Sequence, residues 1–146
     1  MQHNPYKIFV SHCWEADDEY VRLFEYLGET TNFFYDNSCN PTVPAVVEPE
    51  ALRAELRKQI EPAECVIILA THFVQNIPLI RAQIEMAREL GKPIVAVEPF
   101  SAAAMPPELE GAADEKVPWY NKTITNAIKK LARGEDSPAY EVLDFP

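Results

Sequence analysis

Leu79-Ile80-Arg81-Ala82-Gln83-Ile84-Glu85-Met86-Ala87-Arg88-Glu89-Leu90 reads as one amphipathic helix, set between the two most apolar runs of the chain. Cys65-Val66-Ile67-Ile68-Leu69-Ala70 precedes it, and Pro93-Ile94-Val95-Ala96-Val97 follows it. A strand, a crossover helix and a second strand make a parallel unit, whose ligand crevice lies beyond the carboxyl end of the first strand. The helix starts at that crevice, so its first turns can reach a ligand. Ile80, Ile84 and Ala87 form its packing stripe, flanked by Gln83, Leu79 and Leu90. At about 3.6 residues per turn, positions 83 and 85 point roughly 200° apart. Gln83 is therefore the inward polar residue, whereas Glu85 shares a solvated ion-pair face with Arg81 and Arg88.

Outward from this unit the same alternation repeats. Residues 6–10 form a first strand, apolar enough to be buried on both faces, and Ser11-His12-Cys13-Trp14 a turn. A helix over residues 17–27 follows, capped by Asp17 or Asp18 and closed by Gly28. Asn32-Phe33-Phe34-Tyr35 is a second strand, leading into a long polar loop that starts at Asp36 and Asn37 and is punctuated by Pro41 and Pro44. The next helix starts near Pro49, buries Leu52, Leu56 and Ile60, and stops at Pro62. Residues 99–111 read as a loop with one helical turn, 116–119 as an extended piece, and Ile124, Ala127, Ile128 and Leu131 mark a last helix. This predicts an α/β fold, a flavodoxin-like doubly wound parallel sheet in one domain over residues 1–133. The tail at 134–146 is expected to pack on the domain through Tyr140, Val142, Leu143 and Phe145.

The chain has 146 residues, of which 47% are hydrophobic, enough for one core. Its apolar runs fall far short of the roughly 20 residues a membrane helix needs, and the first residues lack the pattern of a secretory signal. Three cysteines, Cys13, Cys39 and Cys65, are an odd number without close spacing. They point to reduced thiols in a cytoplasmic protein, not to disulfides or zinc. The net charge of -10 argues against a nucleic-acid partner, because no basic stripe is present to release counterions. A small anionic ligand held by backbone amides stays open.

The strand-end rule nominates the segments starting at Ser11, Asp36 and Thr71. His12 and His72 fall just beyond two strand ends and are placed to meet at one rim. His12 reads equally as a site residue and as a turn residue, and His72 as a site residue or, more readily, as a solvated loop histidine. Metal binding by the pair with Asp36 has no supporting ligand spacing, so no metal is expected. Trp14 is placed to stack on a planar ring or to cap the core. Asp36 is placed to bond a ribose hydroxyl or to serve as an ordinary turn aspartate. With four glycines and no GxGxxG, P-loop, GxSxG or HExxH pattern, the usual phosphate-cradling loops are excluded.

Several of these pieces, in order, resemble the TIR domain superfamily, and more closely its bacterial branch found in Thoeris antiphage systems. They are Lys7-Ile8-Phe9-Val10-Ser11-His12-Cys13-Trp14, Phe34-Tyr35-Asp36, Cys65-Val66-Ile67-Ile68-Leu69-Ala70, Gln83-Ile84-Glu85-Met86-Ala87, Gly91-Lys92-Pro93-Ile94-Val95 and Val117-Pro118-Trp119. The resemblance spans roughly residues 6–132. It implies cleavage of the nicotinamide–ribose bond of NAD, taken as substrate, after which hydrolysis, cyclisation or transfer gives an ADP-ribose-type signal nucleotide for a downstream effector protein. It also implies substrate contacts from Ser11, His12, Cys13, Trp14, Asp36, Asn37, His72, Phe73, Leu79 and Trp119, with gating of entry or self-association through the loop at 37–47.

In enzymatic relatives a glutamate on this helix, four positions after a tryptophan, is the key residue. Here those positions hold Gln83 and Leu79. Glutamine keeps the size and hydrogen bonding of glutamate without its charge. Three readings compete: an engineered isosteric change that traps ligand, a natural inactive relative, or a role shifted to Glu85. An otherwise intact pocket favours the first, and helix geometry disfavours the third. A non-enzymatic TIR interaction module and a nucleoside deoxyribosyltransferase-like N-glycosidase are the rival functions.

Overall fold

The computed structural model describes residues 4–41, 48–99 and 103–134. The elements run β1 (Tyr6–Val10), α1 (Asp18–Glu29), β2 (Tyr35–Asn37), α2 (Pro49–Ile60), β3 (Cys65–Leu69), α3 (Ala70–Gln75), α4 (Ile77–Glu89), β4 (Ile94–Val97), α5 (Pro107–Ala112), β5 (Glu115–Val117) and α6 (Asn121–Arg133). The five strands are all parallel in the order β2-β1-β3-β4-β5. This is the flavodoxin-like doubly wound sheet, in a single domain. The order reverses between β1 and β3, so the crevice beyond their carboxyl ends is the topological switch point.

Burial explains the sheet. Every residue of β3 and β4 is buried, because helices cover both faces of a parallel sheet. Helices α2 and α4 pack together on one face and α1 and α6 on the other. The α4 helix buries Leu79, Ile80, Gln83, Ile84, Met86 and Ala87, the stripe expected from its periodicity plus Met86. Asn76 caps its start by accepting from the Leu79 N–H, and Gly91, at φ +71°, ends it in the left-handed conformation that glycine adopts most easily. Asp17 caps α1 by accepting from the Tyr20 N–H.

Four details differ from the sequence reading. β2 begins at Tyr35 instead of Asn32, since Asn32 sits in a left-handed turn at φ +63° and Phe34 already pairs through its carbonyl with Tyr6. Helix α1 continues through Gly28 to Glu29, and Thr30 ends it. Thr71 and His72 are not in a loop, because α3 starts directly at the end of β3. The segment after β4 contains the full helix α5. The tail at 135–146, residues 42–47 of the long loop and residues 100–102 lie outside the described residues. Among the described residues no helix is long and apolar enough to cross a membrane.

Candidate functional site

Two buried hydrogen-bonded clusters meet at the end of β1. The first ties β1 to β3 and α1. Ser11 continues the ladder through its N–H to the Ile67 carbonyl, and its side-chain oxygen accepts from the Leu69 N–H at 2.9 Å. With that lone pair used, the Ser11 hydroxyl donates to His72 Nδ1 at 2.8 Å. His72 Nε2–H then donates to the Asp17 carboxylate at 3.0 Å, since a carboxylate can only accept. His72 is fully buried inside α3, which corrects its reading as a solvated loop histidine. The order Ser-His-Asp is that of a nucleophile relay, but the Ser11 oxygen already accepts from the Leu69 N–H, and its contact to His72 is through Nδ1. The arrangement is a scaffold that locks the switch point.

The second cluster surrounds Gln83. Its side chain is 0% exposed, and its Nε2 donates to the His12 carbonyl at 2.8 Å. That carbonyl fixes the amide orientation, because only the nitrogen end can donate. Gln83 Oε1 is left buried with no partner among the described residues. An unsatisfied buried acceptor costs about 1–3 kcal/mol, so its persistence marks a place where a donor is missing. Glu85 is exposed on the opposite face, as its angular position required.

The turn between β1 and α1 carries the rest. Trp14 sits at φ +65°, a left-handed conformation that costs a bulky residue on the order of 1 kcal/mol or more. Its N–H donates to His12 Nδ1 at 3.2 Å, and the two rings meet edge to face at 4.9 Å. The other ring nitrogen, Nε2, carries the proton and donates to Gln59 Oε1 at 3.1 Å. Burial pushes His12 below its ordinary 6.5, helped by the nearby His72 and opposed by the Gln59 bond and Glu55. Cys13 is half-buried with its thiol pushed up to about 11, first by burial and then by Asp17 and Glu15, so it is protonated and weakly nucleophilic at neutral pH. Burial likewise raises Cys39 and carries Cys65 to about 12. All three are free thiols.

The other expected site residues are spread over several elements. Phe73 and Leu79 are buried, on α3 and the first turn of α4. Asp36 lies within β2 opposite Lys7, four residues below Ser11, or roughly 13 Å along the strand. It is exposed there and is not at the rim, which corrects its placement beside the turn. Asn37 lies opposite Ile8 and binds the Tyr20 hydroxyl and the Cys39 N–H. Trp119 donates to the Glu98 carbonyl at 2.8 Å and meets Tyr26 edge on, next to β5, three strands from β1. It braces that edge of the sheet.

Asp17 and Gln59 were missed as site residues. The signal for Gln59 was a polar side chain three positions after Leu56, on the margin of the buried stripe of α2. Among the described residues no group of three or more His, Cys, Asp or Glu is placed to hold a metal ion.

Residues 9–104, about two thirds of the chain, match the family model described as Thoeris protein ThsB, TIR-like domain. No curated protein matches. The match covers well over half of the chain and agrees with its parallel 2-1-3-4-5 sheet: the chain belongs to the ThsB TIR-like family, a membership that supports a role in antiphage defence.

Proposed function

We propose that this chain is an NAD-directed TIR-like domain, acting at the nicotinamide–ribose bond to leave an ADP-ribose-type signal nucleotide for an effector protein. The observation that carries this reading is Gln83: fully buried at the end of β1, its amide nitrogen fixed on the His12 carbonyl, its oxygen unpartnered. A ligand hydroxyl is the chemistry that satisfies such an acceptor. When the carbon–nitrogen bond breaks, nicotinamide departs as a neutral base with the bonding electron pair, and positive charge develops on the ribose. Gln83 meets that charge with an amide dipole alone. Absence of a full electrostatic partner costs on the order of 10²-fold or more in rate. Slow turnover, or retention of bound nucleotide, follows for the chain as it stands.

The same amide favours a second reading, a non-enzymatic module of the same family, because its nitrogen serves a structural bond that a carboxylate cannot make. Incubating the protein and its Gln83→Glu variant with NAD separates the two. The NAD-directed reading expects a ligand-dependent rise in Tm for the native chain and nicotinamide release at least about 100-fold faster from the variant. Neither release nor a Tm shift in either protein supports the module. Turnover of free deoxynucleosides in place of NAD points to a deoxyribosyltransferase-like N-glycosidase.

A further inference from the structure

Gln59 occupies a position that the family reading does not use. It is 3% exposed on α2, and all four of its hydrogen-bonding positions are filled. Its Oε1 accepts from His12 Nε2–H at 3.1 Å and from the Asn40 N–H at 2.9 Å. Its Nε2 donates to the Asn40 carbonyl at 3.3 Å and to Glu55 Oε2 at 2.7 Å. One side chain thus grips the loop after β2 by both backbone groups and the His12 ring by its proton. Such saturation of a buried amide leaves it one orientation.

The consequence runs along the chain to Gln83. By accepting from Nε2–H, Gln59 reserves His12 Nδ1 as an acceptor. Nδ1 is what the Trp14 N–H needs, and that bond holds Trp14 at φ +65°. His12 is also the residue whose carbonyl orients the Gln83 amide. We propose that Gln59 is a positioning residue for the site at Gln83: through the His12 ring it holds the strained Trp14 turn and couples that turn, and the carbonyl facing Gln83, to the backbone at Asn40. The geometry stands without assuming a reaction. Its bearing on catalysis rests on the NAD-directed reading.

Two substitutions test it. Gln59→Met keeps the length and bulk of the side chain but removes the amide. Gln59→Glu keeps the acceptor for His12 and adds charge. The Met variant is expected to speed hydrogen exchange of the Trp14 amide by about tenfold, the worth of one lost hydrogen bond, while the β3 and β4 amides change less. In ¹⁵N NMR the His12 titration is expected to move in opposite directions, upward in the Glu variant and downward in the Met variant. Both variants also deprive Glu55 of the Gln59 Nε2 donor, so the Glu55 titration is followed alongside that of His12, with His72 the other titratable group acting on the ring. A uniform rise in exchange across the sheet, or an unmoved His12 titration, overturns the proposal and leaves Gln59 a packing residue. In a Gln83→Glu background, Gln59→Met is expected to cut nicotinamide release about tenfold or more by lowering kcat more than it raises KM. No release from Gln83→Glu alone would fail the NAD-directed reading, and the Trp14 and His12 signals still decide the role of Gln59.

Discussion

On its inner face α4 presents one polar side chain, Gln83, fully buried with its amide nitrogen committed to the His12 carbonyl. On its outer face it presents Arg81, Glu85, Arg88 and Glu89 to solvent. Arg81 pairs with Glu108 at 2.7 Å, and Glu89 receives both Arg53 and Arg57 from α2. The outer face has more formal charge and more ion pairs, yet it has less leverage on the molecule. Water competes for every exposed ion pair, whereas a buried amide or imidazole has only the partners the fold provides. Polar chemistry in this protein is decisive where it is buried, at the end of β1.

The sharpest way to break that contrast is to remove a buried partner. His72→Ala opens a cavity and orphans both the Ser11 hydroxyl and one role of Asp17. It is expected to destabilise the protein by about 3 kcal/mol in chemical denaturation. A loss as small as that of a surface change would mean the Ser11-His72-Asp17 chain does not lock the switch point.

Gln83→Glu comes next. Its carboxylate faces the His12 carbonyl where an N–H now sits at 2.8 Å, so the protonated form is favoured and the carboxyl's pKa rises. A folded-state pKa above the unfolded one means the native state binds more protons. The variant is therefore expected to approach native stability below about pH 4 and to fall behind it by about 1–3 kcal/mol as pH rises through the raised pKa. Equal stability at all pH values would show that the amide is not needed to face that carbonyl.

His12 gives a smaller effect of opposite sign. Burial holds its pKa below 6.5, so the folded state binds fewer protons than the unfolded one. Stability from this source is complete above about pH 6.5 and is lost as pH falls toward the lowered value. His12→Asn is expected to flatten that acid limb of the stability profile. Smallest of all, Glu89→Ala removes two ion pairs from the outer face and is expected to leave Tm within the scatter of repeat melts.

How much of this was legible beforehand depended on range. The inward direction of Gln83 and the outward direction of Glu85 followed from helical period alone, because α4 is long and strongly patterned. The doubly wound parallel sheet followed from the alternation of strands and helices. His72 was misread because α3 begins at the residue directly after β3 with no turn signal between them. Asp36 was misplaced because the left-handed turn at Asn32 delays β2 by three residues, and nothing local announces a positive φ at an asparagine. The bonds from His72 to Asp17 and from His12 to Gln59 join residues 55 and 47 positions apart, so they exist only once the chain has folded.

Nicotinamide release from NAD, followed across pH for the native chain and the Gln83→Glu variant side by side, tests the central claim most directly. Little or no release is expected from the native chain. Release from the variant is expected to climb with pH as the new carboxylate ionises against the His12 carbonyl. A variant that stays folded and binds NAD yet frees no nicotinamide at any pH would contradict it, as would a native chain that frees nicotinamide as fast as the variant.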